Sequence, residues 1–241
     1  MGKAEILELI EASGLAASVK EYCAGIIRSA LSSSLKDALK ADAAKVIENI
    51  DMLLTAGGDI LGCSKEEVLF TTGFNKNNMA PERFESALAE LRAVNFLHNE
   101  GFGGLELIGS GPKKSADISG IKDGRKYVFE VCCITRSNDL ASVDHLFDGL
   151  GAATATSKKK PVDYLELKYD EKIVQVNSSR KEYGCERGGI FFVINAYNFV
   201  PFMDDKDLKE LAGELHARKN KSRLVHVCLI CGGSVAVFPD W

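Results

Sequence analysis

The stretch ADISGIKDGRKYVFEVCCIT, residues 116–135, decides how this chain folds. Asp123-Gly124 is a strong hairpin signal, because the tightest two-residue turns need positive φ at both central positions. It predicts one strand over ADISGI and a second over KYVFEVCCIT. If the turn has two residues, Lys122 pairs with Arg125. Counting outward along both strands then sets Asp117 opposite Glu130, on one face of the sheet. Two carboxylates that close repel each other unless a cation lies between them or one takes a proton. Glu130 is also the only charge in the apolar run Tyr127–Ile134. A buried, uncompensated carboxylate is costly. Pattern alone allows equally a strand on which Glu130 faces solvent.

On the N-terminal side of the hairpin, GLELIGS (104–110) reads as a first strand. Phe84, Leu88, Leu91, Phe96 and Leu97 mark a helix that stops at Glu100-Gly101, a natural C-terminal glycine. Before it, the polar string TTGFNKNNMAPER (71–83) marks a boundary. Residues 1–75 read as helical, with stripes at Ile6, Leu7, Ile10 and Leu15 and at Val46, Ile47, Ile50, Leu53 and Leu54. Gly57-Gly58 is expected to interrupt that region, and Ser64 with Glu67 resembles a capping box. Nothing in it suggests chemistry.

On the C-terminal side, residues 139–150 are helix-like, 151–163 a loop or frayed helix, and 165–183 a further helix. Gly188-Gly189 leads into IFFVINAY (190–197), an apolar run typical of a strand buried on both faces. An amphipathic helix over 204–219 precedes the strands LVHVCLIC (224–231) and SVAVF (234–238). The expected organisation is a helical region, residues 1–75, followed by an α/β domain, residues 76–241, with a mixed central sheet flanked by helices.

Among 241 residues, 46% are apolar and 27% charged, an ordinary balance for a soluble globular chain. No apolar run is long enough for a membrane helix, and MGKAEILELIEAS lacks the apolar block of a signal peptide. Seven cysteines without an export signal read as reduced thiols in the cytoplasm. A net charge of −4 counts against high-affinity nucleic-acid binding. Local basic clusters at Lys113-Lys114, Lys158-Lys159-Lys160, and Arg218, Lys219, Lys221 and Arg223 could still meet phosphate, although solvated loops and helix ends account for such clusters as well.

Residues 81 to about 150 resemble the PD-(D/E)xK nuclease superfamily, in particular its restriction-endonuclease-like, Holliday-junction-resolvase branch. The resemblance rests on order: Ala89-Glu90 on a helix, then Gly101-Phe102, then Gly109-Ser110-Gly111 and Lys113-Lys114, then Asp117 and finally Glu130. It implies a helix, a three-stranded meander, a helix and a further strand. It implies that Asp117, Glu130 and the Val131 carbonyl hold Mg2+ or Mn2+, with Glu90 as an outer or second-metal ligand, and that the substrate is a DNA phosphodiester. Two departures stand out. Ala116 replaces the family's proline, and Cys132 replaces the lysine of Glu-x-Lys, whose charge a thiol cannot supply. Superfamily lysines can migrate to a neighbouring helix. Residues 139–150 contain none, so Lys168 and Lys172 are the choices, and Lys172 is preferred because it precedes the apolar Ile173-Val174.

Other signals carry less. Cys228 and Cys231 have zinc-like spacing but no second pair, since adjacent Cys132 and Cys133 point to opposite faces of a strand. His145 and His226 read as structural, and Gly101-Phe102-Gly103-Gly104 lacks the Gly-Lys-Ser/Thr of a phosphate loop. Three readings stay open: a Mg-dependent endonuclease acting on DNA, a catalytically degenerate nuclease-fold protein that binds nucleic acid or a protein partner, and an unrelated α/β protein. A homodimer is compatible with each.

Overall fold

Asp123 and Gly124 take φ of 50° and 73°, so the hairpin turns as the Asp-Gly pair predicts. It joins β2 (Ile118–Lys122) to β3 (Arg125–Ile134), with Lys122 beside Arg125 and Ile118 beside Phe129. The computed structural model describes residues 1–30, 33–74, 80–108, 115–134, 161–197, 203–219 and 224–241. The expected helix at 139–150, His145, and the clusters Lys113-Lys114 and Lys158-Lys159-Lys160 lie outside the described residues, as do Lys221 and Arg223.

The remaining elements are α1 (Lys3–Ala12), α2 (Ala17–Arg28), α3 (Ser34–Leu61), α4 (Lys65–Thr71), α5 (Pro81–Asn99), β1 (Gly103–Leu107), α6 (Pro161–Glu182), β4 (Arg187–Ile194), α7 (Asp205–Lys219), β5 (Val225–Cys231) and β6 (Ser234–Phe238). The strands form one mixed sheet in chain order. β1–β2, β2–β3 and β5–β6 are antiparallel, and β3–β4 and β4–β5 are parallel. The parallel centre explains why β4 and β5 read as unbroken apolar runs: both faces are covered. On one face Tyr127, Phe129, Val131, Phe191, Val193, Cys228 and Ile230 pack with residues of α1–α5. On the other, Cys132, Ile134, Ile190, Phe192, Ile194, Val227 and Leu229 pack with α6 and α7. Among the described residues no helix is long and apolar enough to cross a membrane.

Several expected boundaries move. Gly57-Gly58 does not interrupt its helix, because α3 continues to Leu61. Both glycines are buried, and a Cβ on Gly57 would meet Leu91 of α5 at 3.1 Å, while one on Gly58 would meet the Cys63 carbonyl at 2.6 Å. These glycines serve close packing rather than a break. The capping box is present: Ser64 Oγ accepts from the Glu67 N–H, and the Glu67 side chain accepts from the Ser64 N–H at 3.0 Å. α6 starts at Pro161 instead of 165, consistent with the preference of proline for the first helical turn. β4 takes in Gly188-Gly189 and ends at Ile194, since Asn195, at φ 53°, turns the chain before Ala196 and Tyr197.

α5 is pinned to both layers. Glu85 accepts from Ser34 Oγ at 2.5 Å, fixing α5 to α3. Buried Arg92 donates to the Asn195 carbonyl at 3.3 Å and to the Gly232 carbonyl, tying α5 to the ends of β4 and β5. Burial pulls the Arg92 guanidinium down to about 10.

Gly188 marks where α6 presses on the sheet. A Cβ there would sit 2.7 Å from Val176 Cγ1 and 2.9 Å from the Val128 carbonyl oxygen. That oxygen belongs to the backbone and cannot step aside. Gly188→Ala should therefore destabilise the fold by about 1–3 kcal/mol, the usual cost of overpacking. The urea midpoint should fall accordingly, and an unchanged midpoint would show that both α6 and the β3 backbone can give way.

Candidate active site

The register Ile118–Phe129, carried one residue further, sets Asp117 beside Glu130. β2 stops at Ile118 while β3 runs on to Ile134, so beyond this point the edge of β3 loses its strand partner. Asp117 fills that gap. Its N–H donates to the Phe129 carbonyl at 2.9 Å, and its Oδ2 accepts from the Val131 N–H at 2.7 Å. A strand residue turns its N–H and C=O towards the same neighbour, so the Val131 carbonyl also faces the Asp117 side.

Glu130 is 1% exposed. Its Oε1 accepts from Lys172 Nζ at 2.6 Å, an ion pair whose lysine remains 26% exposed. The pair explains how the carboxylate can be buried: an opposite charge at contact offsets the desolvation that would otherwise expel it. Burial would lower the Lys172 ammonium, but the charge and hydrogen bond of Glu130 outweigh it, and the lysine is held above its ordinary value.

Why Lys172 faces the sheet is visible in α6. Its buried residues Leu165, Tyr169, Val176 and Ser179 recur at spacings of four, seven and three, and Lys172 falls within that stripe. The expectation for Lys172 rested instead on Ile173-Val174 packing inward. Ile173 packs against the core, but Val174 is 67% exposed. Position on the 165/169/176/179 stripe is the signal that could have singled out Lys172. Lys168 is held by Glu171 at 3.6 Å.

Two further α6 residues grip the approach to Asp117. Ser179 Oγ accepts from the Ala116 N–H at 2.8 Å, and Gln175 Nε2 donates to the Ser115 carbonyl at 3.4 Å. One face of α6 thus holds Glu130 through Lys172, and the start of β2 through Gln175 and Ser179.

Glu90 lies on α5, in the layer on the other side of the sheet, near enough for the charges of Asp117 and Glu130 to bear on it. Burial is the main cause holding its carboxyl well above the usual carboxylate range, and the nearby charges of Asp117 and Glu130 add to it against the pull of Lys172. Asp117 is raised to about 6 by burial, opposed by its hydrogen bond from Val131 and by Lys172. Three carboxylates and one ammonium therefore share one electrostatic environment. Among the described residues no three or more His, Cys, Asp or Glu side chains are placed together so that they could hold a metal ion. Asp117 Oδ2 and Glu130 Oε1 are turned to Val131 and Lys172 instead.

Cys132 lies two residues beyond Glu130, on the same face of β3, where Lys172 is close enough to oppose the rise that burial gives its thiol, to about 11. The other signals resolve as structure. Cys228 and Cys231 face opposite sides of β5, one in each core, so they form no zinc pair. His226 is buried, with Nδ1 2.8 Å from the Pro239 carbonyl, and burial drives it down to about 4. Arg218 contacts Asp163 at 2.9 Å and Glu214 at 2.7 Å, and Lys219 contacts Glu166 and Asp170 at 2.8 Å. These two basic residues tie α7 to α6 and have their charge already compensated.

Fold and site define a mixed-sheet α/β protein with an acidic cluster, buried in part and balanced by one helix lysine, where the second and third strands diverge. Comparison with family models, with curated proteins and with solved structures gave no match.

Proposed function

We propose that this chain is a metal-dependent phosphodiester hydrolase acting on DNA, built on a restriction-endonuclease-like core. The observation that carries this reading is the Lys172 ammonium, 2.6 Å from Glu130 and beside Cys132. It supplies from a helix the charge that the motif position on β3 lacks. The run α5–β1–β2–β3–α6–β4, with β4 parallel to β3, follows the order the resemblance implies and supports it further.

The donors fit a hard divalent cation in kind. All are oxygens, as Mg2+ or Mn2+ prefers; burial is the main cause raising the carboxyls of Glu90 and Asp117, and a cation bound there would favour their charged forms. Asp117, Glu130 and the Val131 carbonyl would hold such an ion, with Glu90 as an outer or second-ion ligand. Bound there, it would polarise a phosphoryl oxygen and make an attacking water more acidic. The protein's own groups do the rest. Val131 N–H orients Asp117, while Ser179 and Gln175 hold the segment that carries it. Lys172 keeps its proton and presents a fixed positive charge to the oxygens that gain charge during attack. The seven free thiols suit a cytoplasmic setting.

The purified protein should nick or cut plasmid, linear or branched DNA with Mg2+ or Mn2+, and stop on chelation. Absence of both cleavage and metal-dependent binding across these substrates ends the reading.

A further inference from the structure

A cavity of about 110 Å³ opens between the end of α4 and the start of α5, lined by Thr72, Gly73, Phe74, Arg83, Ser86, Ala87 and Glu90. Glu90 lines this cavity and also feels the charges of Asp117 and Glu130, so one side chain borders the cavity and faces the charges of the acidic site. Arg83 sits two turns before Glu90 on the same side of α5, about 10 Å along the axis. It is exposed, and among the described residues no carboxylate pairs with it. That distinguishes it from Arg218 and Lys219, whose charges are compensated.

We infer that this cavity is a subsite for a backbone phosphate of the substrate strand, gripped by Arg83. The inference rests on the hydrolase reading above and extends it by giving the strand a path: from the carboxylates, past Glu90, along α5 to Arg83. Successive phosphates of a duplex strand advance about 3.4 Å along the axis. Arg83 therefore meets a phosphate about three nucleotides from the scissile bond. The cavity has room for a phosphate group with associated water, since one water needs only about 10–15 Å³ of such space. Arginine suits the task through its bidentate fork. It also supplies local positive charge to a chain whose net charge is −4.

The test measures affinity as well as rate. A DNA oligonucleotide should bind Arg83→Gln about tenfold more weakly than the wild type, the usual effect of one lost charge-assisted contact. The slope of log affinity against log salt should fall by about one, as expected for one phosphate. A single neutral methylphosphonate, moved along the strand, should weaken wild-type binding at a position about three nucleotides from the cleaved bond, and have no further effect there in Arg83→Gln. Arg83→Lys should recover part of the affinity. If Arg83→Gln binds with the wild-type affinity and salt slope while the wild type still cleaves, the subsite is wrong and the hydrolase reading stands. If the wild type neither binds nor cleaves DNA under any metal condition, both fall together.

Discussion

Lys172→Ala should lower the rate of Mg2+- or Mn2+-dependent DNA cleavage by about 10²–10³, the usual worth of one preorganised electrostatic group. The same change leaves Glu130, 1% exposed, without the ammonium 2.6 Å away. Removing one partner of such a pair destabilises more than the pair itself stabilises, so circular dichroism and a urea midpoint must accompany the kinetics. The decisive variant is the double substitution Lys172→Ala with Cys132→Lys. Cys132 shares the Glu130 face of β3, so a lysine there can extend its ammonium into the space Lys172 vacates. Cleavage should return towards the wild-type rate. Recovery identifies a positive charge at this point as the function of Lys172, which a purely structural helix contact would not explain. If the wild type is silent and Cys132→Lys alone cleaves, the natural protein is a degenerate nuclease kept for binding. An unchanged rate in Lys172→Ala removes the lysine from the reaction.

Asp117→Asn should abolish cleavage and yet stabilise the metal-free protein. Burial raises the Asp117 carboxyl to about 6, against about 4 for an ordinary aspartate. The sign follows from proton binding. Between pH 4 and 6 the folded state binds more protons at this group than the unfolded state, so its contribution to stability is greatest below pH 4 and is lost as pH rises through 6. Above pH 6 the native chain carries a disfavoured charge. Asparagine removes that charge and keeps an oxygen to accept from the Val131 N–H, 2.7 Å from Oδ2. Each pH unit between the two values is worth about 1.4 kcal/mol, so the gain at pH 8 is about 2–3 kcal/mol. It should vanish near pH 4. The opposite titration of His226, depressed to about 4 by burial, is common to both proteins and cancels in the difference. Mg2+ or Mn2+ should raise the thermal midpoint of the wild type, because a ligand that binds only the folded state stabilises it, and should leave Asp117→Asn nearly unmoved. A destabilised variant at pH 8, or equal metal protection of both proteins, would contradict this assignment.

Features that depend on neighbours along the chain are legible from residue order. Asp123-Gly124 specified the turn, and the turn specified the register, because side chains on a strand alternate strictly and a two-residue loop leaves no slack. The placement of Asp117 beside Glu130 follows from counting alone. The burial of β4 on both faces was likewise readable in its unbroken apolar run, and the Ser64–Glu67 capping box in its spacing. Tertiary structure decided the rest. Gly57-Gly58 looks like a helix breaker until Leu91 and the Cys63 carbonyl are seen pressing against α3, since propensity knows nothing of the packing partner. Arg218 and Lys219 look like phosphate ligands until α6 brings its carboxylates to them. Lys172 lies 42 residues from Glu130 along the chain. Only the azimuth of α6, set by Leu165, Tyr169 and Val176 against the sheet, turns its ammonium onto that carboxylate. Glu90 feels the same charges from the opposite helical layer. Charges so distant in sequence meet because the core fixes the rotation and translation of each helix, and that information resides in the packing as a whole rather than in any one segment.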